Sequence, residues 1–171
     1  MDYFLDTQTL DIFLKLMLSA FLGALVGFER RMARKTAGMR TFALVALGST
    51  LFTILSRYAA LEFVNDASLA PTLRFDPARI SAQIVVGVGF IGAGLIILRR
   101  DRVVGLTTAA GLWVVAALGM AIGYGLIKIA VFATILTLFI FLVLWIIEHN
   151  FLKRGTLMIH GAQDDNSDLE D

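Results

Sequence analysis

The chain has 171 residues, of which 58% are hydrophobic and only 17% charged, with a mean hydropathy of +0.80. Soluble domains carry about 25% charged residues, so this composition excludes an ordinary soluble domain and points to an integral membrane protein. The absence of cysteine removes disulfides, thiolate metal sites and a cysteine nucleophile, and a formal net charge of +1 says little, because in a membrane the placement of charge matters more than its sum.

Residues 1–11 carry Asp2, Asp6 and Asp11 and no Lys or Arg, the reverse of the basic start of a cleavable signal. They are read as a short extracytoplasmic segment. Five spans follow, each long enough to cross a hydrocarbon core of about 30 Å as a helix. The first runs from Ile12 to Phe28 and the second from Thr41 to Leu61. A connection from Glu62 to Arg79, with Pro71 and Pro77 and turn formers Asp66, Ser68 and Asp76, leads to the third span, Ile80 to Leu98, which holds no charge. The fourth covers Gly105 to Tyr124 and the fifth Leu126 to Ile147. Gly123-Tyr124-Gly125 separates these two, since the apolar run from Val103 to Ile147 is too long for one crossing. Residues 148–171 form a tail whose acids Asp164, Asp165, Asp168, Glu170 and Asp171 read as solvated and disordered.

Arginine and lysine set the orientation. Arg30, Arg31, Arg34, Lys35 and Arg40 lie between the first two spans, Arg99, Arg100 and Arg102 between the third and fourth, and Lys153 and Arg154 after the fifth. The positive-inside rule puts these segments in the cytoplasm and the amino terminus outside. The expected fold is therefore an all-α bundle of five transmembrane helices spanning residues 12–147, with a cytoplasmic carboxyl terminus.

Within the third span, Gly87-x-Gly89-x-x-Gly92 has the spacing of a dinucleotide fingerprint, but neither a strand before it nor a ribose-binding acid about 20 residues on is present. No cofactor is expected. On a helix, Gly87 and Gly94 share one face while Gly89 and Gly92 fall near the opposite one, so the third span reads as a central helix with close neighbours on two sides. Gly23-x-x-x-Gly27 in the first span, and Ala116, Gly119 and Gly123 in the fourth, offer partner faces. Alternatively the glycines mark an unwound stretch whose carbonyls and amides bind an ion. The fifth span has no glycine from Leu126 through Ile147 and reads as lipid-facing.

Four segments, "LGALVGFERR" (Leu22 to Arg31), "AGMRTFALVALGS" (Ala37 to Ser49), "DPARISAQIVVGVGFIGAGLI" (Asp76 to Ile96) and "GLTTAAGLW" (Gly105 to Trp113), together resemble the membrane domain of the MgtC/SapB family. The resemblance covers about residues 10–145. It implies a multi-pass protein of the bacterial inner membrane, of the short SapB-like type without a soluble carboxyl-terminal domain. The family is associated with growth at low magnesium, survival of pathogens inside host cells and, for some members, restraint of the ATP synthase. Phe28 and Arg31 replace the Leu and second Glu frequent in the family's "GLERE".

The polar residues each carry two readings. Glu29 with Arg30 faces Arg40 and Thr41 across the first cytoplasmic turn: a Glu29 to Arg40 ion pair fixes the hairpin, or the group is a gate or proton relay. Asp76 before Pro77 caps the third span, with Arg79 and Gln83 snorkelling above Gly87, or these line an outer vestibule. Thr107 and Thr108 stand at a helix amino terminus beside three arginines, as a cap or as a site for phosphate or an anionic headgroup. No nucleophile, base and oxyanion set exists, so an enzyme is not expected. Two classes remain: a regulatory subunit that packs on another membrane protein such as the ATP synthase, or a small transporter or channel for magnesium, protons or another ion. No dedicated magnesium cage is evident, since magnesium prefers about six oxygens and the inner spans hold no acid. The partners expected are the bilayer and a second copy of the chain in a homo-oligomer, a dimer by the commonest symmetry, with no nucleic acid.

Overall fold

A computed structural model describes residues 6–65, 76 and 78–167. In chain order these form α1 (Thr7–Met32), α2 (Met39–Asn65), α3 (Ala78–Leu95), β1 (Ile97–Arg99), β2 (Arg102–Val104), α4 (Leu106–Gly123) and α5 (Ile127–Ser167). Among the described residues, five helices are long and apolar enough to cross a membrane. The chain divides into a unit through Thr137 and a second unit from Leu138 onward, the latter formed by the continuation of α5.

The helix ends follow from backbone accounting. At the end of α1, Lys35 N–H donates to Arg30 O and Arg34 N–H to Arg31 O, a Schellman closure with Arg34 in the left-handed position at φ 53°. The end of α4 repeats this pattern with glycine. Leu126 N–H donates to Ala121 O, Gly125 N–H donates to Ile122 O, and Gly125 holds φ 85°. The expected break at Gly123-Tyr124-Gly125 is thus a helix terminus whose orphan carbonyls are satisfied before α5 begins.

The first helix starts at Thr7 and ends at Met32 instead of spanning Ile12 to Phe28, and α2 runs on from Leu61 to Asn65, since polar residues at either end of an apolar span still complete helical turns. Two further boundaries change how a segment is read. The third span ends at Leu95, and residues 97–104 form an antiparallel hairpin pairing Ile97 with Val104, Leu98 with Val103 and Arg99 with Arg102. β-branched residues flank the Arg100-Asp101 turn there, and Arg100 takes φ 55°. Gly105 returns the chain to α4 at φ 96°; a Cβ there would lie 2.0 Å from Leu95 O, so only glycine fits. At the other boundary, α5 runs past Ile147 to Ser167, a stretch without proline, whereas Asp168, Glu170 and Asp171 fall outside the described residues.

The third helix is not the central one. Half of α4's membrane-length window is buried, against 17% of α3's. The glycines of α1 and α4 pack on α2 instead. A Cβ on Gly23 would meet Ala46 Cβ at 2.7 Å and one on Gly27 would meet Met39 Cα at 2.7 Å. From the other side, a Cβ on Gly119 would meet Ala46 O at 2.3 Å and one on Gly123 would meet Thr53 Cβ at 2.6 Å. α2 is therefore clasped between α1 and α4, with Ala46 touched from both directions. Of the α3 glycines, Gly92 is buried against Ala109 of α4, where an added Cβ would sit 3.4 Å from Ala109 Cβ. A Cβ on Gly87, Gly89 or Gly94 would meet nothing within 4 Å. The physical reason is that α2 supplies a complementary small face of Ala46, Ser49, Thr50 and Thr53, while α3 meets its neighbours through Ile84 and Val88. The unwound alternative also fails, because α3 is helical without interruption from Ala78 to Leu95. In the first unit, α5 exposes Ile129, Phe132, Ile135 and Leu136 and buries Ala130 against Leu22 and Ile122.

Candidate functional site

Within the helical clasp lies a seam of hydroxyls. Ser49, Thr50, Thr53 and Ser56 recur every one to three residues along α2 and are all buried, as is Ser19 on α1. Thr50 Oγ1 lies 2.6 Å from Ser19 Oγ, 2.8 Å from Gly119 O and 3.0 Å from Ala46 O. A hydroxyl has one hydrogen and two lone pairs, so Thr50 donates to one acceptor at a time and can accept from Ser19 in return. Thr53 donates to Ser49 O at 2.7 Å. Thr50 thereby ties α1, α2 and α4 together at one point, the use of polar groups expected where lipid gives helices no hydrophobic reason to associate.

At the end of this seam away from the arginine-rich turn, Arg57 Nη1 donates to Gly123 O at 3.2 Å. A small cavity of about 100 Å³ opens there, lined by Gln8, Asp11, Lys15, Arg57 and Tyr58. Lys15 is paired with Asp11 one turn earlier at 2.5 Å. At the opposite end, Glu29 pairs with the Arg30 guanidinium, and the Arg30 side chain is 3% exposed. The expected Glu29 to Arg40 pair is not formed: the adjacent guanidinium reaches Glu29 first, and Arg40 on the first turn of α2 turns to a groove between α2 and α3.

That groove has a volume of about 710 Å³. Arg40, Thr41, Gln83 and Gly87, singled out separately in the sequence, are brought together along it, with Ser49 and apolar side chains such as Leu44 and Ile84 completing its walls. The other candidates are not gathered there. Asp76 Oδ1 accepts from Ala78 N–H at 2.9 Å, and its carbonyl accepts from Arg79 N–H at 3.2 Å, so Asp76 caps α3 while Arg79 is exposed. Thr107 is exposed on the first turn of α4, whereas Thr108 is buried. Ser19, Thr50, Thr53, Ser56 and Arg57 escaped the sequence reading. Their signal was present in the helical spacing of Ser49, Thr53, Ser56 and Arg57 along an otherwise apolar span. Among the described residues, no three His, Asp or Glu side chains converge as a metal site.

Residues 16–150 match the MgtC family. The chain is 44% identical over 133 residues to an Escherichia coli K12 protein named "Putative magnesium transporter YhiD", an alignment covering 78% of this chain and 60% of YhiD. It is 41% identical over 131 residues to the protein SapB of Bacillus subtilis, covering 76% of this chain and 54% of SapB. It is 39% identical over 138 residues to the protein MgtC of Brucella abortus, covering 78% and 53%. The chain therefore spans between half and two thirds of the length of these relatives. No solved structure matches it.

Proposed function

The chain belongs to the MgtC family, and from that premise we propose that this multi-pass protein is a non-enzymatic regulator in the bacterial inner membrane that acts by packing a helix face against another membrane protein. The observation that carries this reading is the uncovered side of α3. Ala82, Val86, Gly89 and Ala93 recur at helical spacing and are all exposed, and a Cβ on Gly89 meets nothing within 4 Å. In a bilayer such small-residue faces draw helix backbones together, so this face suits a partner helix or a second copy in a dimer. The family's association with magnesium limitation, virulence and the ATP synthase makes a proton-driven complex the partner to test.

A second reading, ion transport, draws on the name carried by YhiD and on the hydroxyl seam through α2. The packing speaks against a path in this conformation: Gly119 and Gly123 close on α2 at contact distance, and the Thr50 and Thr53 hydroxyls bond to carbonyls within the protein. Two measurements separate the readings. ATP-driven proton pumping in inverted vesicles from an expressing strain should fall relative to vesicles lacking the protein, and Gly89→Leu should restore it at equal protein level. Proteoliposomes of the purified chain should carry no magnesium or proton flux above protein-free liposomes. Robust flux, or unchanged pumping, would overturn the regulatory reading.

A further inference from the structure

We propose that the groove between α2 and α3 holds one acyl chain of an anionic phospholipid, with its phosphate at Arg40 and Thr41. Three features of the groove converge on that occupant. Its walls are apolar over most of their length, carried by residues such as Leu44, Phe52, Ile84 and Ile91. Arg40 to Phe52 spans twelve residues of helix, about 18 Å at 1.5 Å per residue, close to the roughly 15 Å depth of a single leaflet of hydrocarbon. Charge stands at one end only. Arg40 is exposed on the first turn of α2, and neither the Lys15–Asp11 nor the Glu29–Arg30 ion pair includes it. Arg31, Arg34 and Lys35, shortly before it in the chain, are also exposed, and Glu29, the nearest carboxylate in sequence, is held by Arg30.

The groove's depth comes from glycine. Gly48 on α2 and Gly87 on α3 both line it, and a Cβ on either meets nothing within 4 Å. Side chains there would therefore fill the space without striking the protein. This face is separate from the Ala82, Gly89 and Ala93 side of α3, so the lipid site stands or falls apart from the regulatory reading.

Native mass spectrometry of the purified full chain in mild detergent, titrated with phosphatidylglycerol or phosphatidylcholine of the same acyl chains, tests the site. Phosphatidylglycerol should bind in preference. An arginine near an anionic surface contributes about 1 kcal/mol, so Arg40→Gln should lower that preference about fivefold. Gly87→Leu should reduce adducts of both lipids, with its helicity and elution volume unchanged; Gly48→Leu provides the same test should Gly87→Leu not be recovered folded. Inorganic phosphate at millimolar concentration should not displace the lipid. Displacement by phosphate would mean a bare anion site, and equal binding of both lipids to wild type and Arg40→Gln would remove the headgroup contact. If Gly87→Leu left lipid binding intact but shifted the mass from dimer to monomer, the groove would belong to a second copy. Any of these outcomes would overturn the proposal.

Discussion

Replacing Gly119 by alanine tests the arrangement of the bundle most directly. An alanine Cβ at this position would lie 2.3 Å from Ala46 O and 2.9 Å from Ser49 Cβ. Carbon and oxygen approach comfortably at roughly 3.3 Å, so α4 and α2 must separate by about 1 Å. That displacement carries the Thr50 hydroxyl, now 2.8 Å from Gly119 O, beyond hydrogen-bonding range. Overpacking of this kind costs about 1 to 3 kcal/mol, and a lost interhelical hydrogen bond in a membrane adds roughly 0.6 kcal/mol. Alanine regains about 1 kcal/mol of helix propensity, which leaves a net loss of about 0.6 to 2.6 kcal/mol. Gly89→Ala is the matched control, because it gains the same propensity and its Cβ meets nothing within 4 Å. It should be neutral or stabilising by up to about 1 kcal/mol. Reversible unfolding in mixed micelles, followed by the fluorescence of Trp113 and Trp145, would measure both. Equal stabilities, or Gly89→Ala as the weaker protein, would refute the placement of α2 and α4 at the centre.

Cysteines placed singly at Asp6 and Lys35, both exposed, should be labelled from opposite sides of the membrane, with Lys35 on the cytoplasmic side; labelling from one side would reject the five-span topology. Thr50→Val keeps the side chain's shape while removing the hydroxyl shared by Ser19 and the Gly119 carbonyl, and should cost about 0.6 to 2 kcal/mol in the same unfolding assay. Arg34→Gly relieves a left-handed residue at the α1 terminus and should stabilise by about 1 kcal/mol, read as a shift in the same transition; a loss of stability would mean that the arginine side chain contributes more than its backbone strain costs.

Hydropathy along the chain was enough to place five crossings, because the bilayer's demand for about twenty apolar residues per helix is a property of each segment alone. The same holds for local stops. Gly123-Tyr124-Gly125 closes α4 and Asp76 caps α3 through contacts made within a few residues. The hairpin at residues 97–104 was hidden because its strands are only three residues each and its apolar side chains read as more of the third span. Which helix stands at the centre was decided elsewhere. A glycine on a transmembrane helix permits a close neighbour but does not name one, and Gly87, Gly89 and Gly94 were as inviting in the sequence as Gly119 and Gly123. The choice fell to Ala46, Ser49, Thr50 and Thr53 on α2, about seventy positions before the fourth helix's glycines, whose small surface and hydroxyls fit both α1 and α4. Arg40, Thr41 and Gln83 likewise share a groove because α2 and α3 lie side by side, a proximity that no spacing along the chain encodes.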